Sequence, residues 1–125
     1  MSTEGFEKLR VYCASEQLAD AVWALVSRWP ILARDTVGKQ LVRSSDSIGA
    51  NIAEGHGRGT YADNKRFVRI ARGSLNETRH WLRRAFIRQL LEPHETDNLK
   101  AQLDALGPQL NAYLKAIGRD SSTNG

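Results

Sequence analysis

SIGANIAEGHGRGT (residues 47–60) decides how the chain is read, because its two halves point to different structures. The first half spaces Ile48, Ile52 and Gly55 three or four residues apart, the repeat of one helix face. The second half sets Gly55, Gly57 and Gly59 at alternate positions, in the manner of a glycine loop around a phosphate. A Walker loop needs a preceding strand and a Gly-Lys-Ser/Thr ending, and a dinucleotide fingerprint needs its own glycine spacing after a strand; the stretch meets neither requirement. The glycines therefore read as a corner, with Gly55 or Gly57 in the left-handed conformation that ends a helix and Thr60 capping the next one. Backbone amides meeting an anion beside Arg58 are the lesser alternative.

Working outward from that corner, the apolar spacing is helical throughout. Leu9, Tyr12, Leu18, Ala19, Val22, Val26 and Trp29 predict a first helix from Phe6 to Trp29, which Pro30 stops. The second helix is expected to begin near Asp35 or Thr36, either of which can cap free amides, and its stripe is Val37, Leu41, Ser44, Ser45, Ile48, Ile52 and Gly55. The third runs from Tyr61 to Leu91, with Thr60 and Asp63 as a capping pair and a stripe of Phe67, Ala71, Ser74, Leu75, Thr78, Leu82 and Ala85. The fourth opens at Glu92 with Pro93 in the first helical position, and carries Leu99, Leu103, Leu106, Leu110, Tyr113 and Ile117. Gly107 and Pro108 interrupt it, but the spacing runs straight through them, which favours one kinked helix over two. The chain reads as all-α: an antiparallel, up-down-up-down four-helix bundle over residues 1–118, with RDSSTNG (119–125) as a disordered tail.

Bulk properties agree with one folded domain. The 125 residues are 41% hydrophobic and 26% charged, and no apolar run approaches the length of a membrane helix. A single cysteine, Cys13, excludes an internal disulfide, and the N-terminus has no secretory pattern, so a soluble protein in the cytoplasm is expected. The charge is unevenly spread: residues 60–91 hold eight Lys and Arg against two acids, while the rest holds ten basic and twelve acidic residues.

Three groups of residues are candidates for function. Lys65, Arg69, Arg72, Arg79 and Arg83 fall on one line of the third helix, the electrostatic footprint of a phosphate-backbone site; the plain alternative is a solvated helix face. Ser47, Asn51, Glu54 and Arg58 share one side of the second helix, where they form either a small polar site or, more simply, the bonds that fix the turn into the third. Val42, Gly49, Ala50 and Ala53 make a small-residue face that admits a close backbone, either of a neighbouring helix or of a second subunit. No catalytic residue, metal site or cofactor is expected: Ser44, Ser45 and Ser47 have no triad context, and His56, His80 and His94 lack ligand spacing.

SIGANIAEGHGR (47–58) followed by FVRIARGSLNET (67–78) resembles the paired motifs of the 23S ribosomal RNA intervening-sequence (S23) family, and the similarity extends from Phe6 to Ile117. Many members have proline where this chain has Gly49. The resemblance implies a four-helix bundle that assembles into a ring-like homo-oligomer, often a pentamer, without established enzymatic activity; a related bundle binds nucleic acid. The expected function is a non-enzymatic oligomer that binds RNA or DNA through its basic third helix, with no membrane or small-molecule substrate. The alternative is an adaptor whose basic face meets an acidic protein partner.

Overall fold

A computed structural model describes residues 5–119 of the chain. The expectations for residues 1–4, and for all of the tail except Arg119, lie outside the described residues.

Four long helices pack around one core, and there is no strand among the described residues. The first is α1, Arg10–Val26. It does not start at Phe6 as the periodicity suggests. Phe6–Lys8 forms a 3-10 turn, and Leu9 is extended at φ −73°, ψ 127°. The turn folds Phe6 back onto Tyr12, their rings meeting edge to face at 4.9 Å. At the other end the helix tightens, with Arg28 and Trp29 donating to carbonyls three residues back, so Trp29 is buried beyond the helix rather than within it.

The start of the second helix is also corrected. Pro30 begins it: at ψ 156° its carbonyl accepts the Arg34 N–H at 2.8 Å, and helical structure follows at once in Ile31–Ala33. Asp35 and Thr36 cap nothing there. They lie inside a π-helical turn, Arg34–Gly38, where the Thr36 hydroxyl donates back to the Leu32 carbonyl at 2.6 Å. The chain then continues as α2, Lys39–His56. Gly38 sits where the turn presses on the end of α1: a Cβ there would come within 2.7 Å of Val26 Cγ1.

The third helix, α3, is Tyr61–Ile87 and begins where its cap predicts, with the Asp63 N–H donating to Thr60 Oγ1 at 3.1 Å. It ends four residues before Leu91, because Gln89 turns into the left-handed region at φ 63°. The Leu90 N–H then reaches back to the Ala85 carbonyl, closing the helix as glycine more often does. The fourth, α4, is Pro93–Ala116, one helix with Pro108 inside it.

The predicted stripes of α2, α3 and α4 supply most of the core, but the α1 stripe is corrected: Leu18, Val22, Val26 and Trp29 are buried together with Val11, Ser15 and Leu25, while Leu9, Tyr12 and Ala19 are only half-buried. All seven positions from Val37 to Gly55 are buried; on α3 Val68 takes the place of Phe67, which is half-exposed, and on α4 Tyr113 is half-buried. Each buried Leu, Ile or Val contributes roughly 1.5–3 kcal/mol relative to an exposed one. α1 packs against α2 and α4, and α3 against the same two helices; the α2–α3 seam is the most extensive. The corner that joins α2 to α3 is not made by a left-handed glycine. Gly57 ends α2 at φ −84°, ψ −1°, and the only described glycine with positive φ is Gly118. Gly55 serves a steric purpose: a Cβ on it would lie 2.8 Å from Phe67 Cβ and 3.0 Å from the Asn64 carbonyl.

Candidate functional site

The basic line on α3 divides in two once the helices are in place. Arg72 and Arg79 lean toward α4. Arg72 Nη1 donates to Asn111 Oδ1 at 3.0 Å, while Arg79 donates to Asp104 Oδ1 at 2.9 Å and to the Leu103 carbonyl at 3.0 Å. That carbonyl adjoins the one which Pro108 leaves without its N–H partner, so the proline turn is where the guanidinium reaches the backbone. Lys100 also bonds to Asp104, at 3.1 Å. The hydrogen bonds from Arg79 and then Lys100 hold the Asp104 carboxyl below the usual aspartate range. Lys65, Arg69 and Arg83 have no side-chain ion pair or hydrogen bond among the described residues. From Lys65 to Arg83 the line spans about 27 Å at the helical rise.

The polar quartet bridges α2, the corner and α3. Ser47 Oγ lies 2.9 Å from Ser74 Oγ, and Asn51 Nδ2 donates to the Ser47 carbonyl at 2.8 Å. Glu54 pairs with Arg58 at 3.1 Å, and the Arg58 guanidinium lies 5.3 Å from the Phe67 ring centroid. These contacts continue a seam in which Thr78 meets Ser44 at 3.0 Å, so Ser44 and Ser47 are engaged in joining two helices, while Ser45 donates to the Val42 carbonyl of its own helix at 3.1 Å.

The small-residue face is split as well. Gly49 faces α1, where a Cβ would come 2.9 Å from Ser15 Oγ. Ala50 is exposed and Ala53 half-buried, along an open groove of about 370 Å³ whose α1 wall carries Glu16 and Asp20 and whose α2 wall carries Asp46. Burial, and then repulsion from Asp20, raises the Asp46 carboxyl above its ordinary value. Val42 lines a second groove of about 540 Å³ beside Trp23, which is 64% exposed.

Phe86 and Trp23 are absent from the sequence-based candidates. Phe86 follows Arg79 and Arg83 at helical spacing, and that repeat, seven and three residues back, is the signal that marks it as their neighbour. Trp23 falls beside Val22 rather than on the stripe, and its exposure on α1 depends on where α2 passes. Among the described residues no group of three or more His, Cys, Asp or Glu side chains is placed to hold a metal ion, and no helix is long and apolar enough to cross a membrane.

No curated protein matches the chain. Among solved structures, a protein of unknown function from the S23 ribosomal protein family of Bacteroides thetaiotaomicron superposes with a TM-score of 0.76 at 24% identity, over 85% of this chain and 96% of that one. At that identity the likeness shows a shared fold. A family model described as 23S rRNA-intervening sequence protein matches residues 7–112, taking in α1, α2 and α3 whole and most of α4. The chain belongs to the 23S rRNA-intervening sequence protein family.

Proposed function

We propose that this protein is a non-enzymatic, cytoplasmic homo-oligomer that binds the phosphate backbone of RNA or DNA along α3. Its four helices run up, down, up, down as a bundle, with short connections and with each helix packed on its chain neighbours. The observation that carries the reading is the set of unpaired cations Lys65, Arg69 and Arg83 on one helix line, continued by Arg72 and Arg79, whose guanidinium groups are fixed by α4. Fixed arginine forks lose less entropy on meeting a phosphate, and unpaired ones need break no ion pair first. Assembly through α1 and α2 is supported by the open grooves at Ala50, Ala53 and Val42, and by exposed Trp23, Ile31 and Leu32 near the π-helical turn. A pentameric ring is the assembly that the family resemblance suggests.

The test is fluorescence anisotropy with single-stranded RNA, duplex RNA and duplex DNA across a salt series, with oligomeric state checked by light scattering. Binding should weaken with salt at a log–log slope of roughly −0.7 to −0.9 per phosphate neutralised. Arg69→Glu/Arg83→Glu should abolish it without changing the assembly, since neither side chain holds another. A wild-type protein that binds none of these at low salt would sink the proposal.

A further inference from the structure

The basic line does not end in solvent. At its C-terminal end Arg79 and Arg83 border a groove of about 360 Å³ between α3 and α4, floored by Leu82 and Leu103, closed by Phe86 and faced by Lys100 on α4. Phe86 is 56% exposed, a large aromatic surface left open to water beside three cations, with Asp104 the carboxylate bonded to two of them. Burying a planar apolar face there would be favourable, and an anion attached to that face would meet Arg83, which has no partner of its own.

We propose that this groove is a stacking platform for one unpaired nucleobase, held on Phe86 with its flanking phosphate at Arg83, so that the protein prefers single-stranded or looped nucleic acid to continuous duplex. The inference rests on the phosphate-binding reading of α3 and adds what that reading lacks, a contact that distinguishes nucleic acids by the availability of a base face. Charge and continuity select the occupant. The groove is the end of a cationic track of about 27 Å, and a charged track joined to an aromatic surface is the arrangement by which proteins hold single strands. In a duplex both faces of each internal base are already stacked, so only an unpaired base has one to offer. An acidic amphipathic helix would need several apolar anchors along successive turns, whereas Leu82 and Leu103 are buried and Phe86 is the one apolar side chain of this lining that stands open to a partner.

The experiment uses the full chain and RNA oligonucleotides carrying 2-aminopurine, as a single strand and as the matched duplex, at fixed low salt. Stacking on Phe86 should quench the single-strand fluorescence. Phe86→Ala should remove the quenching and weaken single-strand binding about tenfold while leaving duplex binding unchanged, and Phe86→Tyr should restore both signals. Because Phe86 is largely exposed, the variants should keep the wild-type melting temperature. Binding of both RNAs that Phe86→Ala leaves intact, with the quenching unchanged, overturns the platform and leaves the α3 phosphate site standing. Failure of the wild type to bind either RNA overturns both. If a glutamate-rich amphipathic peptide binds instead and is lost in Phe86→Ala, the groove is a protein-docking site and the inference is wrong.

Discussion

The Thr78 hydroxyl donates to Ser44 Oγ at 3.0 Å across the α2–α3 seam, and both residues are buried. Thr78 also lies 2.8 Å from the Ser74 carbonyl, so its single proton is shared, while Ser44 directs its own proton to the Leu41 carbonyl. Such a bond is worth about 1 kcal/mol net. In urea unfolding, Thr78→Val should cost roughly 1 kcal/mol. The cycle with Ser44→Ala should show a coupling of about 0.5–1.5 kcal/mol. A coupling near zero would mean that the pair is merely adjacent and that packing alone sets the seam.

The same seam makes Gly55→Ala a sharp test. The added methyl would meet Phe67 Cβ at 2.8 Å and the Asn64 backbone carbonyl at 3.0 Å, neither of which can swing aside as a side-chain tip can. Overpacking of this kind costs about 1–3 kcal/mol and should exceed the gain in helix propensity, which is at most about 1 kcal/mol. Gly59→Ala is the control, since a Cβ at Gly59 meets nothing within 4 Å. Equal stability of the two variants would show that α2 and α3 can separate at the corner without loss.

These contacts explain what was legible in the sequence and what was not. The stripes of α2 and α4 are readable because burial imposes a repeat on residue type, and the Thr60 cap and Pro93 start are readable because each needs a particular side chain. The end of α3 is not: Gln89 adopts φ 63° without the glycine that normally announces it. The π-helical turn has no compositional mark either, so Asp35 and Thr36 look like caps although they lie within helical structure. Gly55 shows a further limit, because conformational and steric reasons for glycine look identical in a sequence. On the candidate site, the spacing places Arg72 and Arg79 on the cationic line, but only the path of α4 shows that both are already bonded. The exposure of Phe86 depends on the same packing.

Glu95 links the start of α4 to the loop after α1. The Glu92 N–H donates to its carboxylate at 2.8 Å and Arg28 pairs with it at 2.7 Å; these contacts, the backbone bond foremost, lower its pKa below 4.5. A lowered folded-state value means that the stabilisation is fully present above the unfolded pKa and is lost as pH falls through the glutamate range to the depressed value. Glu95→Gln keeps an acceptor for the cap and removes the charge. The stability difference between wild type and Glu95→Gln, measured by urea unfolding at successive pH values, should therefore be constant near neutrality and shrink below about pH 4. Asp46 should show the opposite sign: its raised value makes folding more favourable as pH falls toward 3.8, so Asp46→Asn should stabilise the protein most at neutral pH. A pH-independent difference for Glu95→Gln would show that its carboxylate is solvated as in the unfolded chain.

Arg79 belongs to the cationic line and also braces α4, so its substitution should separate from that of its neighbours. In Arg79→Gln the Asp104 carboxyl loses its principal hydrogen bond and should titrate closer to the ordinary aspartate value of 3.8, with Lys100 alone still lowering it. Carboxyl-carbon NMR across the acid range reads that rise directly. The Leu103 carbonyl, next to the turn loosened by Pro108, also loses its side-chain donor, so amide exchange in that part of α4 should quicken. Arg83→Gln carries the same change of charge with no such contacts, and should leave both the Asp104 titration and α4 exchange at their wild-type values. If Arg79→Gln matches Arg83→Gln in both measurements, the Arg79 contacts are not held in solution, and Arg79 is as free to meet phosphate as Arg83.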